Sequence, residues 1–191
     1  MAKISDTIKS DHRAIKECYD KIVNSSNYEQ QVRYQNQFTW ELARHSIGEE
    51  LVVYPAFEEH LENGKAMADK DREEHQVVKE QLKAFQGMKP SDPNFQSTIK
   101  SLMDKLSQHI REEEQEDLVK LENSLANNES EALATSFKRT KAFVPSRPHP
   151  SAPNNPPFET AVGLLTAPID HLADIFRKFP DHKVSPNPST K

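Results

Sequence analysis

Four histidines recur along the chain at gaps of 33, 30 and 34 residues: His12, His45, His75 and His109. Two of them are followed four residues later by a carboxylate, in His45-Ser-Ile-Gly-Glu49 and His109-Ile-Arg-Glu-Glu113. On a helix, positions i and i+4 lie one above the other on the same face. An imidazole can therefore hold one metal ion while the carboxylate one turn on reaches across to a second. Neutral imidazole with carboxylate suits iron, and also manganese, zinc or copper. Each gap is the length needed to finish one helix, turn and climb the next. Four imidazoles and two carboxylates would then meet at one level of an antiparallel four-helix bundle. His12, His45, Glu49, His75, His109 and Glu113 are the candidate metal ligands. No side chain stands out as a catalytic acid, base or nucleophile.

Helices must carry these residues, and the apolar periodicity supplies them. Residues 5–24 read as a first helix, with Ile4, Ile8, Ile15, Tyr19 and Ile22 in one stripe that contains His12. Residues 28–61 read as a second, with Phe38, Leu42, Val52 and Ala56 on the face of His45 and Glu49. Pro55 inside it predicts a kink. Asn63-Gly64 ends it, Gly64 suiting a left-handed cap. Residues 65–85 carry His75 beside Ala68, Val78, Leu82 and Phe85. After the breaks at Gly87 and Pro90-Ser91-Asp92-Pro93, residues 94–125 carry His109 and Glu113 beside Phe95, Leu102 and Leu106.

The expected architecture is all-α. It is an up-down-up-down four-helix bundle over 1–127, a short extra helix within 128–143 packed outside, and a Pro-rich C-terminal extension over 144–191. Within the extension, 144–157 read as an extended linker. Residues 158–179 regain apolar character and predict a helical segment, interrupted at Pro168, that docks on the bundle. Residues 180–191 read as a frayed tail.

A lone histidine on an apolar stripe is ordinarily a packed core residue, and an acidic run such as 112–117 is ordinarily a solvated helix face. The second reading is adopted for Glu112 and Glu114. What favours ligands is the coincidence: each of four helices places one histidine on its own apolar face, and two add an inward glutamate. Burying such groups unpaired would cost several kcal/mol per charge. A pair of metal ions removes that cost. The levels agree unevenly. At ~1.5 Å rise per residue the first hairpin has arms of about 20 and 26 Å, the second of about 24 and 15 Å. The Pro55 kink or the connection must absorb that difference. His60 falls about four turns from His45, outside the layer. His149, His171 and His182 read as surface residues, and Cys18 as packing.

Composition narrows the setting. At 191 residues the chain can bury one sizeable core. A net charge of -5 gives no case for nucleic acid or an anionic membrane. One cysteine forbids an internal disulfide and predicts a reducing, cytoplasmic location. No apolar run approaches a signal core or a membrane span.

The pattern His…His-x-x-x-Glu…His…His-x-x-x-Glu on four consecutive helices resembles the hemerythrin-like, or HHE cation-binding, domain family over residues 4–125. The contexts Ser10-Asp11-His12, Glu50-Leu51-Val52-Val53-Tyr54-Pro55 and Glu73-Glu74-His75 also look like the family. Residues 161–170 are similar to an extension of fungal members. The resemblance implies an oxo- or hydroxo-bridged di-iron centre, with zinc or manganese as other occupants. His12 and His45 would serve one iron, His75 and His109 the other, with Glu49 and Glu113 bridging. It implies a small ligand such as O2, NO or peroxide, bound or sensed, or iron itself sensed or stored. Oxygen carriers of the family have a second histidine four residues away on the third helix. Here those positions are Asp71 and Lys79. Asp71 or solvent would fill the gap, and the open position argues against reversible oxygen carriage. A ferritin-like site needs Glu-x-x-His, but the residues three before these histidines are Lys9, Leu42, Arg72 and Leu106. The alternative is a metal-free helical interaction module with structural histidines. No protein partner or homo-oligomer is named by the sequence, and no proton-relay dyad marks an enzyme.

Overall fold

The computed structural model describes residues 2–152 and 158–180, with the side chains of 127 and 158–165 set aside. The expectations for 153–157 and 181–191 lie outside the described residues. Among the described residues eight α-helices follow one another: α1 Ile4–Val23, α2 Tyr28–Gly48, α3 Tyr54–His60, α4 Gly64–Gln86, α5 Phe95–Glu112, α6 Leu118–Ser124, α7 Asn127–Phe143 and α8 Phe158–Asp174. A π-helical turn, Glu49–Val53, joins α2 to α3, and another, Glu113–Asp117, joins α5 to α6. The four long rods of the bundle are thus α1, α2–α3, α4 and α5–α6. The expected helical bundle is what the chain forms.

The apolar stripes meet in two separate cores. One half gathers Ile15, Ile22, Phe38, Leu42, Val78, Leu82, Phe85, Phe95, Leu102 and Leu106. The other gathers Ile4, Ile8, Val52, Tyr54, Ala56, Phe57, Ala68, Leu118 and Leu121. On each rod the candidate ligand lies between the two halves: His12 between Ile8 and Ile15, His45 between Leu42 and Val52, His75 between Ala68 and Val78, His109 between Leu106 and Leu118. Two oily ends therefore enclose one polar layer.

Both π-turns begin at a candidate bridging glutamate. The N–H of Tyr54 donates to the Glu49 carbonyl and that of Leu118 to the Glu113 carbonyl, each five residues back. Such a turn inserts one residue and rotates everything beyond it. At 49–53 the cause includes Pro55, which lacks an N–H and crowds the preceding turn. Instead of a simple kink, the helix widens just before the proline. The inserted residue takes about 1.5 Å out of the α2–α3 arm, a small part of the level difference of the second hairpin.

Gly64 is no left-handed cap. It is the first residue of α4, and a Cβ there would lie 1.7 Å from the Phe57 carbonyl oxygen. The tight α3–α4 corner needs a bare Cα. Gly48 serves a second close approach: a Cβ would meet the Phe137 ring at 2.8 Å. This lets α7 settle against α2.

The last helices depart from expectation in three ways. α7 is more than an outer strut, since Ala134 and Phe137 are buried in the second core. Residues 144–148 are buried against the body rather than held out as a spacer. Asp174 of α8 holds this segment through the Ser146 hydroxyl and the Arg147 guanidinium. Pro168 lies inside α8 without ending it. Among the described side chains of α8, Asp170 pairs with His149 at 2.9 Å, the His171 ring N–H donates to the Val144 carbonyl, and Ala167 is buried. Ile169, Leu172, Ile175 and Phe176 remain exposed. Among the described residues no helix is long and apolar enough to cross a membrane.

Two outcomes follow from this packing. Gly64→Ala should lower unfolding free energy by about 1–3 kcal/mol in denaturant titration; an unchanged midpoint would contradict the close approach. Cys18 is buried, and burial raises its thiol well above the ordinary range, with Glu41 and Glu17 adding to the rise. The protonated thiol is a poor nucleophile. A disulfide reagent at pH 8 should therefore label Cys18 only after unfolding, and fast labelling of the folded chain would contradict this.

Candidate metal centre

Each candidate ligand sits on the inner face of its rod because the apolar residues around it turn that face inward. His12, His45, His75 and His109 are each 1–3% exposed, and Glu49 and Glu113 are fully buried. The structure brings all six together. His12 Nε2 lies 3.1 Å from His45 Nε2, and His75 Nε2 lies 3.2 Å from His109 Nε2. Glu49 spans the two pairs, with Oε1 3.1 Å from His45 Nε2 and Oε2 3.4 Å from His75 Nε2. Glu113 Oε2 lies 3.3 Å from His12 Nε2. His12, His45 and Glu49 form one triad able to hold a cation, and Glu49, His75 and His109 a second.

The other ring nitrogen of every histidine faces a carboxylate on a neighbouring rod. His12 Nδ1 lies 2.8 Å from Glu114, and His109 Nδ1 lies 2.8 Å from Glu74. His45 Nδ1 lies 3.4 Å from Asp11, and His75 Nδ1 lies 3.3 Å from Glu50. Asp11 is in turn held by Lys141 of α7, and Glu50 by Lys79 at 2.6 Å. An ionised carboxylate only accepts, so Nδ1 is the donor and Nε2 keeps its lone pair for the centre. The partners run round the bundle: α1 backs α2, the first π-turn backs α4, α4 backs α5, and the second π-turn backs α1. Glu114 therefore belongs to this ring, against the expectation of a solvated face. Its position just after the π-turn begins turns it toward α1.

The electrostatics describe a site built for cations. Two lone pairs about 3 Å apart repel unless a proton or a metal ion lies between them. Burial pushes His12 down, but Glu113 and Glu114 more than offset it and raise it to about 9. Burial pushes His45 down to about 4, despite Asp11. Burial and the adjacent Glu113 raise the Glu49 carboxyl well above the usual range. Burial opposes ionisation of Glu113 too, but His12, His109 and His45 hold it low. All four oxygens of Glu49 and Glu113 are buried without a hydrogen-bond partner. Orphaned carboxylate oxygens facing imidazole nitrogens are the donor set a metal pair requires.

Tyr54 enters as a residue the sequence did not single out, and Asp71 is found where the sequence offered it. Tyr54 is buried with Oη 3.0 Å from His75 Nε2. Burial raises its phenol well above the ordinary range, and Glu49 adds to the rise. A phenol beside a candidate ligand histidine has no signature in spacing, because Tyr54 lies beyond the π-turn and helical phase alone misplaces it. Asp71 is 2% exposed, and its Oδ2 has no partner. It lies with Glu74 and His109 in a group whose ligand atoms fall within 4.8 Å of one another. Burial raises its carboxyl to about 7. Phe137 covers His45 edge-on, ring centres 6.1 Å apart. His60 stays out of the layer, near Glu59.

Comparison with known proteins agrees with this layout. The family model described as the hemerythrin HHE cation binding domain matches residues 3–121. An uncharacterized hemerythrin-like protein of Schizosaccharomyces pombe is 55% identical over 181 residues, covering 94% of this chain and 89% of the relative. A DNA nickase of Nostoc is 27% identical over 144 residues, covering 75% of this chain but 40% of that protein. A crystal structure of a hemerythrin HHE cation-binding domain-containing protein of Mycobacterium kansasii superposes with a TM-score of 0.62 at 23% identity, covering 74% of this chain and 89% of that one. The last likeness concerns the fold. With the family model spanning all six candidate ligands, the chain belongs to the hemerythrin HHE cation-binding family.

Proposed function

We propose that this chain is a non-haem di-iron protein of hemerythrin type that binds or senses a small ligand: O2, NO or peroxide. His12 and His45 would hold one ion and His75 and His109 the other, with Glu49 and Glu113 bridging. The observation that carries the reading is the buried layer of four Nε2 atoms and four orphaned carboxylate oxygens. A bound iron pair supplies redox change and open coordination positions for a diatomic or peroxide. Zinc or manganese would use the same donors.

The chain's own residues do the rest. Ile8, Ile15, Leu82 and Leu106 close the layer above and below and exclude water. The Tyr54 hydroxyl, kept protonated by burial, can donate a hydrogen bond to a ligand beside His75 Nε2. Asp71, with its unpartnered oxygen, is the residue to take the place of the missing fifth histidine. The buried thiol of Cys18 suits a reducing, cytoplasmic setting.

Purified chain should carry about two metal ions, as bundle sites with facing carboxylates and histidines do. His75→Ala or Glu113→Ala should lose at least one by elemental analysis. Full retention by both variants would remove the ligand assignment. No metal after anaerobic ferrous loading would leave the helical interaction module. The outer ring makes its own prediction: Glu114→Gln and Glu74→Gln should each weaken metal binding about 10- to 100-fold with the helical content unchanged. Wild-type affinity in both would show that the ring does not orient the imidazoles.

A further inference from the structure

Among the described residues, two depressions on the surface border the candidate ligand layer, and they differ in charge. One, of about 300 Å³, lies between α1 and α5–α6 and ends on His12 and Glu114. Its rim carries Arg13 and Lys16 of α1 and Arg111 of α5, with Met103 and Ile110 along the wall. All three cations are exposed and have no ion pair or hydrogen bond among the described residues. Lys9, one turn before Arg13, is close enough to help His12 hold the Glu114 carboxyl low. The other depression, of about 230 Å³, ends on His109 and Glu74 and is lined by Val77, Val78, Lys105 and Gln108. It carries one ammonium against one carboxylate, and most of its remaining wall is uncharged.

Three unpaired cations around one mouth need a reason in a chain of net charge -5. Several other helix surfaces of the chain pair the signs, as in Lys65–Asp69, Arg33–Glu29 and Lys120–Glu116, whereas these three cations share one mouth. Basic side chains gathered at a cleft raise the local concentration of anions and speed their arrival. Among the described residues lining this cleft the one carboxylate, Glu114, is already engaged with His12 at 2.8 Å. The cleft floor is thus a metal-site histidine, and its rim is electrostatically open to an anion.

We propose that the Arg13–Lys16–Arg111 mouth is a capture site for small anions, which it delivers to the metal pair on the His12 side. The proposal rests on the di-metal reading for delivery, but not for capture. The ligand class is a compact monovalent anion, of a size that passes Glu114. Neutral diatomics gain nothing from this mouth.

The test uses the full chain loaded with iron, with azide as the anionic probe and NO as the neutral one. Wild-type azide association should slow about tenfold between about 0.02 and about 0.5 M ionic strength, as steered encounters do. Arg13→Gln/Lys16→Gln/Arg111→Gln should show the slow rate at low salt and little salt dependence. Its NO rate should stay within about twofold of wild type. Lys105→Gln, at the other mouth, should leave the azide rate unchanged. A salt-independent azide rate, or a triple variant equal to wild type, would overturn the proposal. Failure of the metal reading looks different: no azide complex forms in any variant. In that event bromide soaked into crystals of the metal-free chain decides capture. An anomalous peak between Arg13, Lys16 and Arg111 that vanishes in the triple variant supports it, and no peak overturns it.

Discussion

Two carboxylates and four imidazoles buried in one layer are the constraint on which the rest of the structure depends. A protein interior tolerates such groups only when each is paired. Here pairing is half complete. The outward nitrogens have carboxylates, while the inward nitrogens and the oxygens of Glu49 and Glu113 face one another across short gaps. The arrangement could take cations at those gaps, as two triads of the layer are able to. The two apolar cores above and below it keep water from doing that work and hold the rods at a fixed spacing.

The ring of outer carboxylates explains how rigid helices deliver six groups to one place. Each carboxylate is next in sequence to one candidate ligand but serves a ligand on the adjoining rod. Asp11 precedes His12 and backs His45; Glu74 precedes His75 and backs His109. Glu50 follows Glu49 and backs His75; Glu114 follows Glu113 and backs His12. Fixing one imidazole therefore fixes the rotation of its neighbour rod. Lys141 ties α7 to the same ring through Asp11, and Gly48 gives α7 room to approach. That helix lies beyond residues 3–121, so the chain braces its centre with an element outside the matched domain.

The four helices and the six inward residues were legible because a helical stripe is periodic and the histidines fall within those stripes. The π-turns were not. Pro55 hints at the first, but Glu-Glu-Gln-Glu-Asp at 113–117 offers no local signal; the turn is marked only by the buried Glu113 that begins it. The outer ring was hidden for a related reason. Asp11, Glu50, Glu74 and Glu114 look like ordinary surface charge until neighbouring rods are placed. Asn63-Gly64 has the composition of a helix end because Asn-Gly commonly ends helices, whereas here the Phe57 carbonyl forbids a Cβ. The burial of residues 144–148 was missed because proline-rich composition says nothing of an Asp174 waiting on a later helix.

The central claim is that one buried layer holds two ions at once, bridged by Glu49 and Glu113. X-ray absorption at the iron edge of the loaded chain tests it most directly. The account predicts nitrogen and oxygen neighbours with imidazole scattering, and a second iron about 3–4 Å away. A lone iron with no heavy neighbour, or a shell without imidazole, would contradict it.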